Sequence, residues 1–151
     1  MKNKTSVWSI IILIATIISL ILLVSEIIVT TVGMPAVQEA ARQAAADQGL
    51  TQQEIDLAVS VAVGAVIGGL VAGAIFDVFK IIGGFLFSLK GRWGVFCIVV
   101  AILGAIGSVV SLINGITNKA GTGTIVTNVI GIAIDVLLIV ACFKHRAENL
   151  A

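Results

Sequence analysis

Asp135 is the residue best placed to do chemistry, because it interrupts an apolar run, Ile125–Phe143, flanked by Val, Leu and Ile. It lies about 14 Å along a helix from Lys144. An ionised Asp deep in a bilayer costs at least ~2.5 kcal/mol unless it is paired, and such groups face other helices rather than lipid. Two chemistries follow: a carboxyl that bonds across helices, or an acid that couples to a proton or cation. Thr127 and Gly131 share its helix face at i,i+4 spacing. Thr16 and Ser19 lie at similar depth as hydroxyl partners, and Lys80 is a further one if its helix sits deeper. Asp77 and Lys80 are i,i+3 neighbours and read as an ion pair near one interface. Glu26 lies about 28 Å along the first helix from Val7, near the other interface.

Catalysis is not expected. Asp77 and Asp135 on separate spans are what an intramembrane aspartyl protease would need, but neither stands in a Gly-x-Gly-Asp context. A Gly-x-Ser-Gly serine motif, a P-loop and a zinc motif are all absent from the sequence. The single His, His145, sits beside Arg146 and reads as part of a solvated end. Cys97 and Cys142 read as small apolar fillers. No catalytic, cofactor or metal residue is assigned. A net charge of +1 argues against a nucleic-acid partner.

The elements that must position Asp135 follow from composition. The 151 residues are 59% hydrophobic and 11% charged. A soluble domain is about 45–50% apolar and ~25% charged. Lipid must therefore be the solvent for much of this surface. Apolar stretches cover about residues 7–32, 57–82, 94–114 and 125–143. Backbone groups in hydrocarbon must be bonded internally, so each stretch is a helix. The expected fold is an all-α transmembrane four-helix bundle, a single membrane domain over 1–151. The first stretch is too long for the core of a cleaved signal peptide, so it is expected to persist as a span.

Charge orients the spans. With the N-terminus cytoplasmic, one side receives Lys2, Lys4, Lys80, Lys90, Arg92, Lys144 and Arg146, and the other only Arg42 and Lys119. Cytoplasmic loops carry such an excess. Both termini are expected inside, in a multi-pass plasma-membrane protein. The reading continues with an outer loop at 33–56, an inner turn at 83–93, an outer hairpin at 115–124 and a cytoplasmic tail at 144–151.

Within the outer loop, Pro35–Gln48 reads as a short amphipathic helix stopped by Gly49. Thr51-Gln52-Gln53-Glu54 is a capping box flanked by Leu50 and Ile55, a hydrophobic staple, so the next helix starts at Gln52. A bend is expected at Gly83-Gly84, because a straight helix from Asp56 to Lys90 would be about 51 Å long.

Small residues recur at four-residue spacing: Gly64/Gly68 and Gly69/Gly73 in the second span, Gly104/Ser108 in the third. Gly131 adds a small residue to the fourth. Such positions let helix backbones approach closely. They are expected to pack the bundle or to dock another membrane protein or a second copy.

The layout resembles uncharacterised small four-span membrane proteins of Gram-positive bacteria. The residues that carry the resemblance are the turn Lys90-Gly91-Arg92-Trp93-Gly94 and the ending Asp135–Lys144. It implies a bacterial plasma membrane and no particular activity. The function expected is that of a non-enzymatic interaction or accessory protein, such as an immunity, stress or complex subunit, with the bilayer and another membrane protein as partners. The alternative is a small oligomeric transporter or pore with Asp135 as the coupling acid.

Overall fold

The computed structural model describes residues 6–117, 119 and 121–150, and these form four helices. They are α1 Val7–Asp47, α2 Gln52–Lys90, α3 Gly94–Thr117 and α4 Thr122–Leu150. All four are long and apolar enough to cross a membrane. Their outward surface is apolar: Ile14, Ile21, Val29, Val61, Val71, Ile106 and Phe143 are exposed. A contiguous surface of that kind is suited to lipid rather than water.

The helices run further than their apolar stretches. α1 has 41 residues and α2 has 39. Each is therefore about 60 Å long, twice a hydrocarbon core of ~30 Å. The amphipathic segment expected at Pro35–Gln48 is no separate helix, because α1 continues through Gly33 and Pro35 to Asp47. Proline removes one backbone donor, and glycine costs ~1 kcal/mol against alanine. The alanines that follow, among them Ala40, Ala41, Ala44, Ala45 and Ala46, are the best helix formers and carry the helix onward.

The loop between α1 and α2 shrinks to residues 48–51. Gly49 ends α1 at a φ of +72°, which side-chain-bearing residues rarely adopt. The Leu50 N–H donates to the Ala45 carbonyl at 3.3 Å, and the Gly49 N–H to Ala46 at 2.9 Å. This is the Schellman pair that satisfies two carbonyls of the last turn. The start of α2 follows its expectation: the Thr51 N–H donates to Glu54 Oε2 at 2.8 Å, and the Glu54 N–H reaches Thr51 Oγ1 at 3.5 Å.

The bend expected at Gly83-Gly84 is replaced by an unbroken helix. The two glycines serve close approach instead. A Cβ on Gly83 would stand 3.1 Å from the Phe96 ring, and one on Gly84 would collide with the Thr16 hydroxyl. The turn into α3 is correspondingly short, residues 91–93. Gly91 and Trp93 take positive φ there, +62° and +70°. Trp93 is the costlier of the two, because its Cβ crowds the backbone in that region. Its ring rests edge-on to Phe96 at 5.7 Å. The hairpin expected at 115–124 is narrower too, α3 ending at Thr117 and α4 starting at Thr122; Asn118 and Ala120 fall outside the described residues. The tail expected from 144 is the last turns of α4, helical to Leu150.

The chain divides into two compact units, Met1–Leu22 with Phe76–Ala151, and Leu23–Ile75. The first draws on all four helices and holds the core. Ile12, Ala15, Phe87, Cys97, Ile98, Ala101, Leu138, Ala141 and Cys142 pack together, with Trp8, Ile11, Ile134 and Ile139 against them. The Ser9 hydroxyl donates to the Ser88 carbonyl at 2.7 Å and ties the start of α1 to the end of α2. The second unit comprises the rest of α1 and α2 with their capped turn.

Two outcomes follow. Gly84→Ala forces a methyl into the Thr16 hydroxyl and should destabilise the fold by about 1–3 kcal/mol, whereas Gly68→Ala, with nothing within 4 Å, should not; denaturant titration in micelles compares them. Glu54 is held below the usual carboxylate range, first by the Thr51 N–H and then by the Thr51 hydroxyl. A lowered folded-state value stabilises the cap above the unfolded-state value and is lost as pH falls through the folded one. Helicity of the wild type should therefore decline on acidification in the carboxylate range, and Glu54→Gln should lack that step in circular dichroism.

Candidate functional site

Lys80 is the centre of the site. It lies on α2, and its Nζ stands 2.9 Å from Asp77 Oδ1 on the same helix and 2.9 Å from Asp135 Oδ1 on α4. The second oxygen of Asp135 accepts a 3.1 Å hydrogen bond from Ser108 Oγ on α3. Both oxygens of an acid that is 1% exposed are thus engaged. Three helices contribute, each for a local reason. The i,i+3 spacing sets Asp77 beside Lys80. Gly104, one turn before Ser108, leaves room: a Cβ there would lie 3.6 Å from Asp135 Oδ2 and 3.7 Å from Lys80 Cδ. Gly131, one turn before Asp135, sits opposite Ser108, whose Oγ would be 3.8 Å from its Cβ.

The remaining residues singled out from sequence go elsewhere. Thr16 and Ser19 are buried, but they donate to their own helix at Ile12 and Ala15, 2.7 and 3.0 Å away, and are not hydrogen-bonded to Asp135. Those hydroxyls satisfy themselves locally, so Lys80 and Ser108 take the place expected for them. Glu26 belongs to the other compact unit. Gly64, Gly68, Gly69 and Gly73 also lie there, and an added Cβ would meet nothing within 4 Å at any of them.

Two polar features escaped the sequence reading. His145, expected in a solvated tail, is 6% exposed, with its ring 4.8 Å from that of Phe87 and its Nε2 3.4 Å from Asn149 Nδ2. The extension of α4 to Leu150 puts it one turn beyond Cys142, on the face that carries the core. Near it, the Ser6 hydroxyl donates to Glu148, joining the entry to α1 with the last turn of α4. Asn128, two turns before Asp135 on α4, buries an Nδ2 that has no hydrogen-bond partner.

Chemically, the arrangement is a buried cation bridged by two carboxylates, one of them braced by a hydroxyl. Among the described residues no cluster of three His, Cys, Asp or Glu could hold a metal ion. Comparison with family models, with curated proteins and with solved structures returns no match.

The geometry predicts unequal costs on breaking the pair. Lys80→Met leaves Asp135 buried with only Ser108 and should destabilise by about 3–5 kcal/mol. Asp135→Asn leaves Lys80 its Asp77 partner and should cost less. The double variant Lys80→Met/Asp135→Leu should regain much of the loss. A double-mutant cycle by denaturant titration in micelles measures all three.

Proposed function

We propose that this chain is a non-enzymatic integral membrane interaction protein, an accessory subunit or an immunity or stress protein, that docks through α2. The observation that carries the reading is the open small-residue face of that helix. Gly64, Gly68, Gly69 and Gly73 present bare backbone with nothing within 4 Å, and no residue in the most apolar eighteen-residue stretch of α2 is buried. A helix surface of that kind lets another helix approach closely in lipid, where packing contacts drive association. The partner is another membrane protein or a second copy of this chain. Later in the same helix Gly83 and Gly84 each meet a neighbouring side chain, whereas these four, like Gly107 on α3, have nothing within 4 Å.

The placement proposed is the plasma membrane, multi-pass, with both termini cytoplasmic. Its support is the sorting of nine Lys and Arg residues between the two sides. The small four-span proteins of Gram-positive bacteria that the layout resembles point to a bacterial membrane. The alternative, a small transporter or pore coupled through Asp135, draws less support from the site. A coupling acid must exchange its proton or cation, whereas both oxygens of Asp135 are committed to Lys80 and Ser108.

Leucine at the open positions tests the docking role. Gly68→Leu and Gly69→Leu should leave folding intact, since a Cβ added at either position meets nothing within 4 Å. They should also remove the proteins that co-purify with the wild type in mild detergent, or its self-association. An unchanged partner set and an unchanged oligomeric state would refute the reading.

A further inference from the structure

Cys97 and Cys142 are both 0% exposed, on facing sides of α3 and α4, and their sulfurs lie 2.9 Å apart. Both are free thiols. Neither is a lone filler: each thiol faces the other within a buried cluster that includes Ile98, Ala101, Leu138 and Ala141. A disulfide requires about 2.03–2.05 Å between sulfurs. Closure therefore asks these two atoms to approach by about 0.9 Å, a shift that side-chain torsions can supply.

We propose that Cys97 and Cys142 form an intramembrane oxidation site, a dithiol that closes to a disulfide on reaction with a hydroperoxide carried in the bilayer. The class of oxidant follows from the setting. The thiols are sealed from water, while the neighbouring outward positions Val99 and Phe143 are exposed and apolar. An oxidised lipid or another apolar hydroperoxide partitions into that phase, and a water-borne oxidant does not. The first sulfur attacks the peroxide oxygen, the O–O bond breaks, and an alcohol leaves with the thiol proton, giving a sulfenic acid. The second thiol then attacks that sulfur, expelling water and forming the S–S bond. Across both steps, two thiols lose two electrons and two protons, and the hydroperoxide becomes an alcohol and water.

Burial slows the first step, because few oxidant molecules reach the core. Proximity favours the second, since the resolving sulfur is already in contact and needs no diffusion. The outcome is capture as a disulfide rather than progress to sulfinic acid. It would staple α3 to α4 one turn before His145. The Lys80–Asp135 pair, whose Asp135 lies two turns earlier on α4, would keep its partners.

The test uses the full chain in phosphatidylcholine liposomes treated with cumene hydroperoxide, then denatured and alkylated with a polyethylene-glycol maleimide. Untreated protein should take two adducts, one for each free cysteine. Treated protein should take none, run as a monomer on a non-reducing gel, and recover both after dithiothreitol. Cys142→Ser, which lacks the resolving thiol, should stop at the sulfenic acid and take up dimedone on treatment, whereas the treated wild type should take up none. The proposal is overturned if the treated wild type keeps both adducts, if its loss resists dithiothreitol, or if the link forms only between chains.

Discussion

A charge placed among hydrocarbon must find its opposite, and in this chain that requirement falls on Lys80. The ammonium can leave water only if carboxylates meet it, and Asp77 and Asp135 do so at 2.9 Å each. Asp77 comes with the helix, whereas Asp135 must be brought by α4. Docking the last turns of α2 on α4 is thereby tied to a specific register, and Ser108 of α3 completes it. Dispersion alone would let apolar helices slide past one another, because lipid tails are as apolar as Leu. A buried pair that is expensive when misplaced selects one arrangement among many of similar packing energy.

Around that pair, small residues decide how near the helices come. Gly84 admits the Thr16 hydroxyl, Gly83 the Phe96 ring and Gly94 the Phe87 ring. Phe87 is 2% exposed and also lies against His145, so one aromatic side chain of α2 links the start of α3 to the last turns of α4. The glycines of the Leu23–Ile75 unit have no such occupant. Chemically equivalent residues thus take two roles in one helix, filled near its end and open along its earlier turns. The proposed docking surface rests on that contrast.

From sequence the Lys80–Asp135 contact is conditional on a deeper second helix, and a single misjudged feature kept that condition open. Counted from Lys90, Lys80 lies about 15 Å along a helix; counted from Lys144, Asp135 lies about 14 Å along its own. The two depths match only if α2 runs straight to Lys90. Treating Gly83-Gly84 as a bend moved Lys80 to the interface and set the hydroxyls of Thr16 and Ser19 ahead of it as partners of Asp135. In water a glycine pair weakens a helix, but in a packed membrane core it is a site of contact. The same bias cut α1 short at Pro35, where an alanine run outweighed the breaker.

Composition and spacing by themselves determined that the chain has four lipid-compatible helices, where the capped turn at Gly49–Glu54 lies, and which acid stands deepest. These are local matters: hydropathy, propensity and hydrogen bonds within a few residues carry them. Tertiary structure alone decided that Lys80 and Ser108 answer Asp135, that His145 is buried, and that two thiols 45 positions apart touch. Each of those depends on the rotation of one helix about its axis relative to another. A helix with apolar residues all round carries little periodicity to set that rotation, and only the pairing of charges and the fitting of glycines against bulky side chains can.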